Sequence, residues 1–292
     1  MMFALPCILN QSRIKYYTFN IPSTLWLDAS VVSNFNLDSN SLITDWLDSS
    51  GNNFTATRVS SRVTYIPNSL NGNGIVKFNG IDNSLRLFGN TRLQNKTRYK
   101  QYTYFLVFKP EDLSNVDVIL GSAAPATSTG QSVLYIENNN LILSTKVVNT
   151  QNLAFFIATD VANLVNTWII LVWSGSNLNT NEGIFMRING GDNIYDPLLK
   201  NRFPFEYSTS NLTDSIWLGG PNNNYYKGDI AEFGIIPKAL TLSSIQVLEG
   251  YLATKYVLQS NLPLSHPYRN TRPTDPSNID GFYRDSNTIY LS

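Results

Sequence analysis

Along most of the chain, apolar residues stand in short alternating runs separated by turns rich in Asn, Gly and Ser. A period of two sends successive side chains to opposite faces, the mark of a half-buried β-strand. Ile75, Lys77 and Asn79 share one face, and Val76, Phe78 and Gly80 the other. Turn signals flank this run, Asn71-Gly72-Asn73-Gly74 before it and Gly80-Ile81-Asp82-Asn83 after it. Residues 102–108 form a continuous aromatic and β-branched run, which predicts a central strand covered on both faces. Further strands are expected at 54–65, 118–120, 132–137, 141–146, 168–173, 183–188, 215–218 and 228–237. Spacings of roughly eight to fifteen residues point to a sandwich or barrel. The rhythm changes once. Ile245, Leu248 and Leu252 recur at three and four residues and predict a helix capped by Thr241 and ending near Lys255 or Tyr256. Pro263 and Pro267 forbid its continuation.

Composition sharpens the picture. Asn makes up about one residue in eight, and the chain is only 14% charged; that is poor helix material and good turn material. Twenty-one basic and 21 acidic side chains give a net charge of +0. No basic run offers a footprint for nucleic acid, and residues 92–100 read as a solvated loop. No apolar run approaches the ~18 residues of a membrane span. The apolar start, residues 1–13, lacks a basic leader region and a small-residue cleavage site and reads as a tail or a first strand. The single cysteine, Cys7, cannot form an internal disulfide. The sequons at Asn10, Asn53, Asn95 and Asn211 are unsurprising in so Asn-rich a chain.

Four signals in order resemble the concanavalin A-like lectin/laminin G-like superfamily. They are Leu25-Trp26-Leu27-Asp28-Ala29-Ser30; Trp46-Leu47-Asp48-Ser49-Ser50-Gly51-Asn52-Asn53; Val76-Lys77-Phe78-Asn79-Gly80-Ile81-Asp82-Asn83; and the closing Gly228-Asp229-Ile230-Ala231-Glu232-Phe233 with Glu249-Gly250-Tyr251-Leu252-Ala253-Thr254-Lys255-Tyr256. The segment Leu262-Pro263-Leu264-Ser265-His266-Pro267-Tyr268 resembles the ending of such modules in particle proteins of large DNA viruses and phages. The resemblance implies an all-β fold: a two-sheet antiparallel jelly-roll sandwich, one short helix after the last core strand, and extended terminal arms. The expected division is an arm at 1–21, a sandwich at 22–260 and a second arm at 261–292. Trp26, Trp46, Phe78, Phe105, Trp168, Trp173 and Trp217 are expected to supply inward bulk, and the helix to cover a sheet edge or a sandwich end.

The residue inventory argues against an enzyme. Glycoside hydrolases on this fold pair two carboxylates on one face of a strand. Here each Glu lacks an acid at i+2, and Asp229 and Glu232, three apart, should point to opposite faces. The lone His266 and lone Cys7 supply no zinc site. No catalytic, cofactor or metal residue is assigned. Calcium is the alternative, with Asp28, Asp45, Asp48, Asp82 and Asp229 as candidate ligands.

Two functions compete. The first is a structural protein of a viral particle (a minor capsid, fibre or decoration component), meeting other particle proteins through its arms and residing in the virion. The second is a carbohydrate-binding module, extracellular or on the particle surface. Its candidate loop is Asn222, Asn224, Tyr225 and Tyr226, which joins amides to aromatic rings as sugar sites do. A glycoside hydrolase is the third reading.

Overall fold

A computed structural model describes residues 23–59, 62–87, 101–121, 133–146, 153–176, 184–195, 216–220, 223–273, 282–285 and 288–291. The expected arm at 1–21, with Cys7, lies outside the described residues.

The strands, in chain order, are β1 (Leu25–Asp28), β2 (Phe35–Leu37), β3 (Ile43–Trp46), β4 (Ala56–Arg58), β5 (Thr64–Leu70), β6 (Asn73–Asn79) and β7 (Leu85–Leu87). Then come β8 (Gln101–Pro110), β9 (Asp117–Gly121), β10 (Val133–Glu137), β11 (Asn140–Lys146), β12 (Leu153–Asp160) and β13 (Ile169–Ser176). The series closes with β14 (Ile184–Ile188), β15 (Ile194–Tyr195), β16 (Ile216–Leu218), β17 (Lys227–Ile236), the helix α1 (Leu242–Tyr256), β18 (Phe282–Asp285) and β19 (Thr288–Leu291). One sheet runs β15-β14-β13-β8-β17-β6-β5, with β1 also paired to β17; the other runs β12-β11-β10-β9-β16-β7-β4-β3-β2. Among the described residues every strand pairing is antiparallel. The two-sheet antiparallel sandwich is therefore the fold.

The two sheets differ in how they are covered, and the sequence pattern follows. On β8, Tyr104, Leu106 and Phe108 point between the sheets, while Phe105 and Val107 point the other way, under the helix. On β13, Leu171 and Trp173 face inward, and Ile170 and Val172 face the helix. A strand buried on both sides needs no polar positions, hence the continuous apolar runs. In the second sheet, strands with one covered face alternate, as in Leu85-Arg86-Leu87, while Val118, Tyr135 and Ile142 form a small buried cluster on the outer side of β9, β10 and β11. Helix α1 lies across the outer face of the first sheet, rather than on an edge or end, and buries Ile245, Leu248, Leu252 and Tyr256 there. Thr241 caps it as expected, its hydroxyl accepting from the Ser244 amide at 3.3 Å. The helix stops at Val257, which adopts a left-handed conformation at φ 56°.

Asparagine has a structural explanation. Among the described residues, eight of the ten non-glycine positions with positive φ are Asn. Asn71-Gly72 joins β5 to β6, and Asn138-Asn139 joins β10 to β11, each with both central φ positive, the geometry that matches the twist of a hairpin.

Three expectations need correction. The run at 54–65 divides into β4 and the start of β5, which lie in different sheets. Strand β12 falls in a stretch where none was expected. The body does not end at 260: Leu262 and His266 are buried, and Tyr268 packs against the helix layer. His266 Nδ1 accepts from the Tyr268 amide at 3.2 Å, and Nε2 lies 3.1 Å from Glu249 Oε2. Arg187 grips the same carboxylate through Nε at 2.8 Å. This buried cluster fastens the segment to the helix. Beyond it, β18 and β19 pair with each other as a separate two-stranded sheet. At the other end, Thr24 enters β1 by donating to Ile235 of β17 at 2.7 Å, so the chain enters in the layer of the first sheet.

Candidate binding surface

The outer face of the second sheet is built by alternation. Trp46, Ala56, Leu85, Leu87 and Leu218 are in the inter-sheet core. Their neighbours must point outward. Cross-strand register then lines up Asn36, Asp45, Thr57, Arg86, Trp217 and Gly121 in one row over six strands. Asp45, Thr57, Arg86 and Trp217 are half-buried, and Asn36 is exposed. Asp45 is fixed in place, accepting from Thr57 at 2.9 Å, Thr44 at 3.1 Å and Asn36 at 3.2 Å. The Arg86 guanidinium lies over the Trp217 ring, 5.3 Å from its centroid, a cation–π contact. Gly121 on the other flank of Trp217 contributes no side chain.

The expected glycan loop follows β16 directly. Gly219 and Gly220 both have positive φ, near 85°, and a Cβ on Gly220 would collide with the Asn224 carbonyl. That carbonyl accepts from the Val118 amide at 3.1 Å, and Tyr225 bridges to Val118 in parallel. Bridged residues share a face, and Val118 points outward. Tyr225, half-buried, thus joins the outer face. Along β9 its partner Val118 is three positions from Gly121, the partner of Trp217. A β-bulge leaves Ile119 and Leu120 both facing the core, so Val118 and Gly121 share the outer face, and the strand positions of Tyr225 and Trp217 lie within about 10 Å of each other.

The other loop residues divide. Asn224 is half-exposed, and Asn222 lies outside the described residues. Tyr226 points inward and is 0% exposed, with its ring centroid 6.0 Å from that of Phe78 and 6.5 Å from that of Phe108. It belongs to the core and offers no face to a ligand. Its neighbour beneath the loop is Asp117, 5% exposed, which accepts from the Lys227 amide. Its other oxygen has no hydrogen-bond partner. Burial, with a smaller push from Asp112, raises its pKa to about 6.

The remaining charged clusters serve the layer under the helix. A β-bulge between Ile230 and Glu232 puts Ala231 and Glu232 on the same side, so Asp229 and Glu232 share the outer face rather than opposing each other. They are no open acid pair: Asp229 is 2% exposed beside Lys109 at 2.7 Å, and Glu232 is 0% exposed. Glu232 accepts from Trp26 Nε1, Lys255 Nζ and Tyr256 OH at 2.7–2.8 Å. Burial drives its carboxyl pKa upward, with the Lys255 charge pulling it back. Lys255 also pairs with Asp28 at 2.7 Å. Burial opposes its ammonium, but the carboxylates of Glu232 and Asp28 and the neighbouring Tyr251 outweigh that and raise its pKa. The calcium candidates are engaged by protein donors. Asp48 accepts from the amides of Trp26, Ser50 and Phe54, and Asp82 from Asn79. Among the described residues no three His, Cys, Asp or Glu side chains gather as a metal site.

Trp217 was expected in the core with the other large aromatics. Trp46, Phe78 and Trp173 are there, and Trp26, Phe105 and Trp168 lie under the helix layer. Trp217 faces out. The signal was present in Ile216-Trp217-Leu218 and in Leu85-Arg86-Leu87, where the middle residue must oppose two apolar neighbours.

No family model matches the sequence, and no curated protein matches it. Solved structures do. Domain 4 of AbnA, an extracellular GH43 arabinanase of Geobacillus stearothermophilus solved with arabinotriose, superposes with a TM-score of 0.50 at 19% identity, over 76% of this chain and 95% of that domain. The receptor-binding domain of botulinum neurotoxin mosaic serotype C/D gives 0.51 at 18% identity, over 80% of this chain and 51% of that one. Botulinum neurotoxin type C, whose cell entry depends on two ganglioside molecules, gives 0.52 at 16% identity, over 80% and 52%. The chain spans about half the length of the toxin chains it matches. What it shares with all three is the β-sandwich fold.

Proposed function

We propose that this chain is a non-catalytic recognition module that holds a glycan on the outer face of its second sheet. The observation that carries this reading is the pair of outward aromatics, Trp217 and Tyr225, flanked by the polar row of Asn36, Asp45, Thr57 and Arg86. Flat rings stack on the apolar faces of sugars, and fixed polar groups orient their hydroxyls. A spacing of about 10 Å suits a short oligosaccharide better than one ring. The likeness to the arabinanase domain and the toxin domains supports the reading at the level of architecture. A glycan array is expected to return hits that Trp217→Ala and Tyr225→Ala each weaken at least about tenfold, a loss of ~1.4 kcal/mol. An array without hits, or binding untouched by both variants, overturns the reading.

A second reading, assembly into a viral particle, is favoured by one observation. Strands β18 and β19 join neither large sheet, and a lone two-stranded hairpin is marginal in water. Such a hairpin can add strands to the sheet of a neighbour. Co-purification with particles at fixed stoichiometry, with residues 282–291 protected from hydrogen exchange only there, is the expected result. Equal protection in the monomer counts against it.

A further inference from the structure

We infer that Asp117 is a proton-operated latch on the loop that carries Tyr225, shutting that part of the glycan surface in acid and loosening it toward neutral pH. This rests on the glycan reading above and adds the regulation of that site. Backbone bonds tie residues 223–227 to the body. The Val118 amide donates to the Asn224 carbonyl at 3.1 Å, the Tyr226 amide to the Gly219 carbonyl at 3.0 Å, and the Glu111 amide to the Lys227 carbonyl at 3.0 Å. The Lys227 amide completes the set by donating to the Asp117 carboxyl. Asp117 directly precedes Val118, the residue that Tyr225 bridges. One carboxyl thus holds the end of the loop and adjoins the strand position that sets which way Tyr225 faces.

Opposing effects act on this carboxyl, and burial wins. Asp117 is 5% exposed and its second oxygen has no hydrogen-bond partner, so its ionised form lacks the donors a buried carboxylate needs. Three groups face it: Asp112 from the turn after β8, and Lys227 and the Tyr226 phenol from the end of the loop. Across from it on β10 stands the apolar Ile136. Desolvation and the Asp112 charge oppose the anion, and they outweigh the Lys227 amide and ammonium, which favour it. Asp112 itself stays ionised, because the hydroxyl and amide of Ser114 donate to it at 2.7 and 2.9 Å and hold it below the usual carboxylate range. The one histidine, His266, lies in the helix layer against Glu249, not at this loop. With the loop shut, the Asp117 pKa is about 6; opened to water, an Asp returns to about 3.9. The shut state therefore binds the proton more tightly. Acid favours it, and that preference is lost as pH rises through about 6. Between pH 5 and pH 7 the ratio of shut to open loops is expected to fall about tenfold.

The test reads the loop first and the ligand second. Hydrogen exchange at the Tyr226 and Lys227 amides of the full chain, corrected for intrinsic rates, is compared at pH 5 and pH 7. Protection is expected to fall about tenfold in the parent. It is expected to stay level in Asp117→Asn, which keeps an acceptor for the Lys227 amide and cannot ionise. A glycan array probed at both pH values is expected to give parent hits at least about threefold weaker at pH 7, as the binding-competent fraction falls. For Asp117→Asn the hits should be equally strong at both. Level protection in the parent overturns the inference without recourse to any variant, and so does a fall that survives Asp117→Asn. Protection that changes while the array hits do not also overturns it, and leaves the glycan reading standing. An array without hits at either pH removes the glycan reading, and the exchange data then decide whether the latch exists.

Discussion

At the scale of single residues, the chain hides charge where it holds the layers together. Asp117 shows the cost of hiding it alone. Its carboxyl is buried with one oxygen unpaired, and its pKa is pushed up to about 6. An unfolded Asp releases its proton near 3.9. Between those values the folded state holds more proton than the unfolded chain. The stability tied to this group is therefore full below the lower value and is lost as pH rises toward about 6. Asp117→Asn keeps an acceptor for the Lys227 amide and removes the charge. Urea melts should show the variant more stable than the parent at pH 7 and nearly equal to it at pH 4. An unchanged difference across that range would show that the carboxyl titrates normally. Glu232 is the opposite case, fully buried yet supplied with three donors, so its charge is compensated in place.

At the scale of elements, Val257 ends α1 in a conformation that β-branched residues avoid. It is 59% exposed, so little packing compensates the strain. Val257→Gly is expected to stabilise the fold by about 1 kcal/mol, read as a rise of a few degrees in Tm. Much of the element pattern was legible from alternation. Strands β8 and β13, the helix and its Thr241 cap, and the Asn71-Gly72 and Asn138-Asn139 turns all follow from local rules. What local rules could not supply was the extra residue at Ala231, because a bulge is set by pairing with β8, far away in sequence. The candidate surface divides the same way. Tyr225 faces outward and its neighbour Tyr226 inward, although both looked alike in a loop. Their faces are fixed by contact with Val118 on one side and with Phe78 and Phe108 on the other. Trp217 could have been placed by its apolar neighbours, but bulk suggested core.

At the scale of the whole molecule, three layers are stacked: helix, first sheet, second sheet. The segment after the helix locks the first two. Ending the chain at Ser260 removes Leu262, 1% exposed, and strips His266 from the buried Glu249. That truncation should cost at least about 3 kcal/mol, seen as a lower urea midpoint. A chain ended at Pro273 retains these contacts and should melt like the full protein. The same stacking separates two roles in space. Described backbone starts beside β17 in the first sheet at Thr24, and residues 262–268 lie over the helix, on the far side of the first sheet from Trp217. A tether placed on residues 262–268 holds the molecule by its helix layer. Many copies fixed to one support in that way would all turn the second sheet away from it.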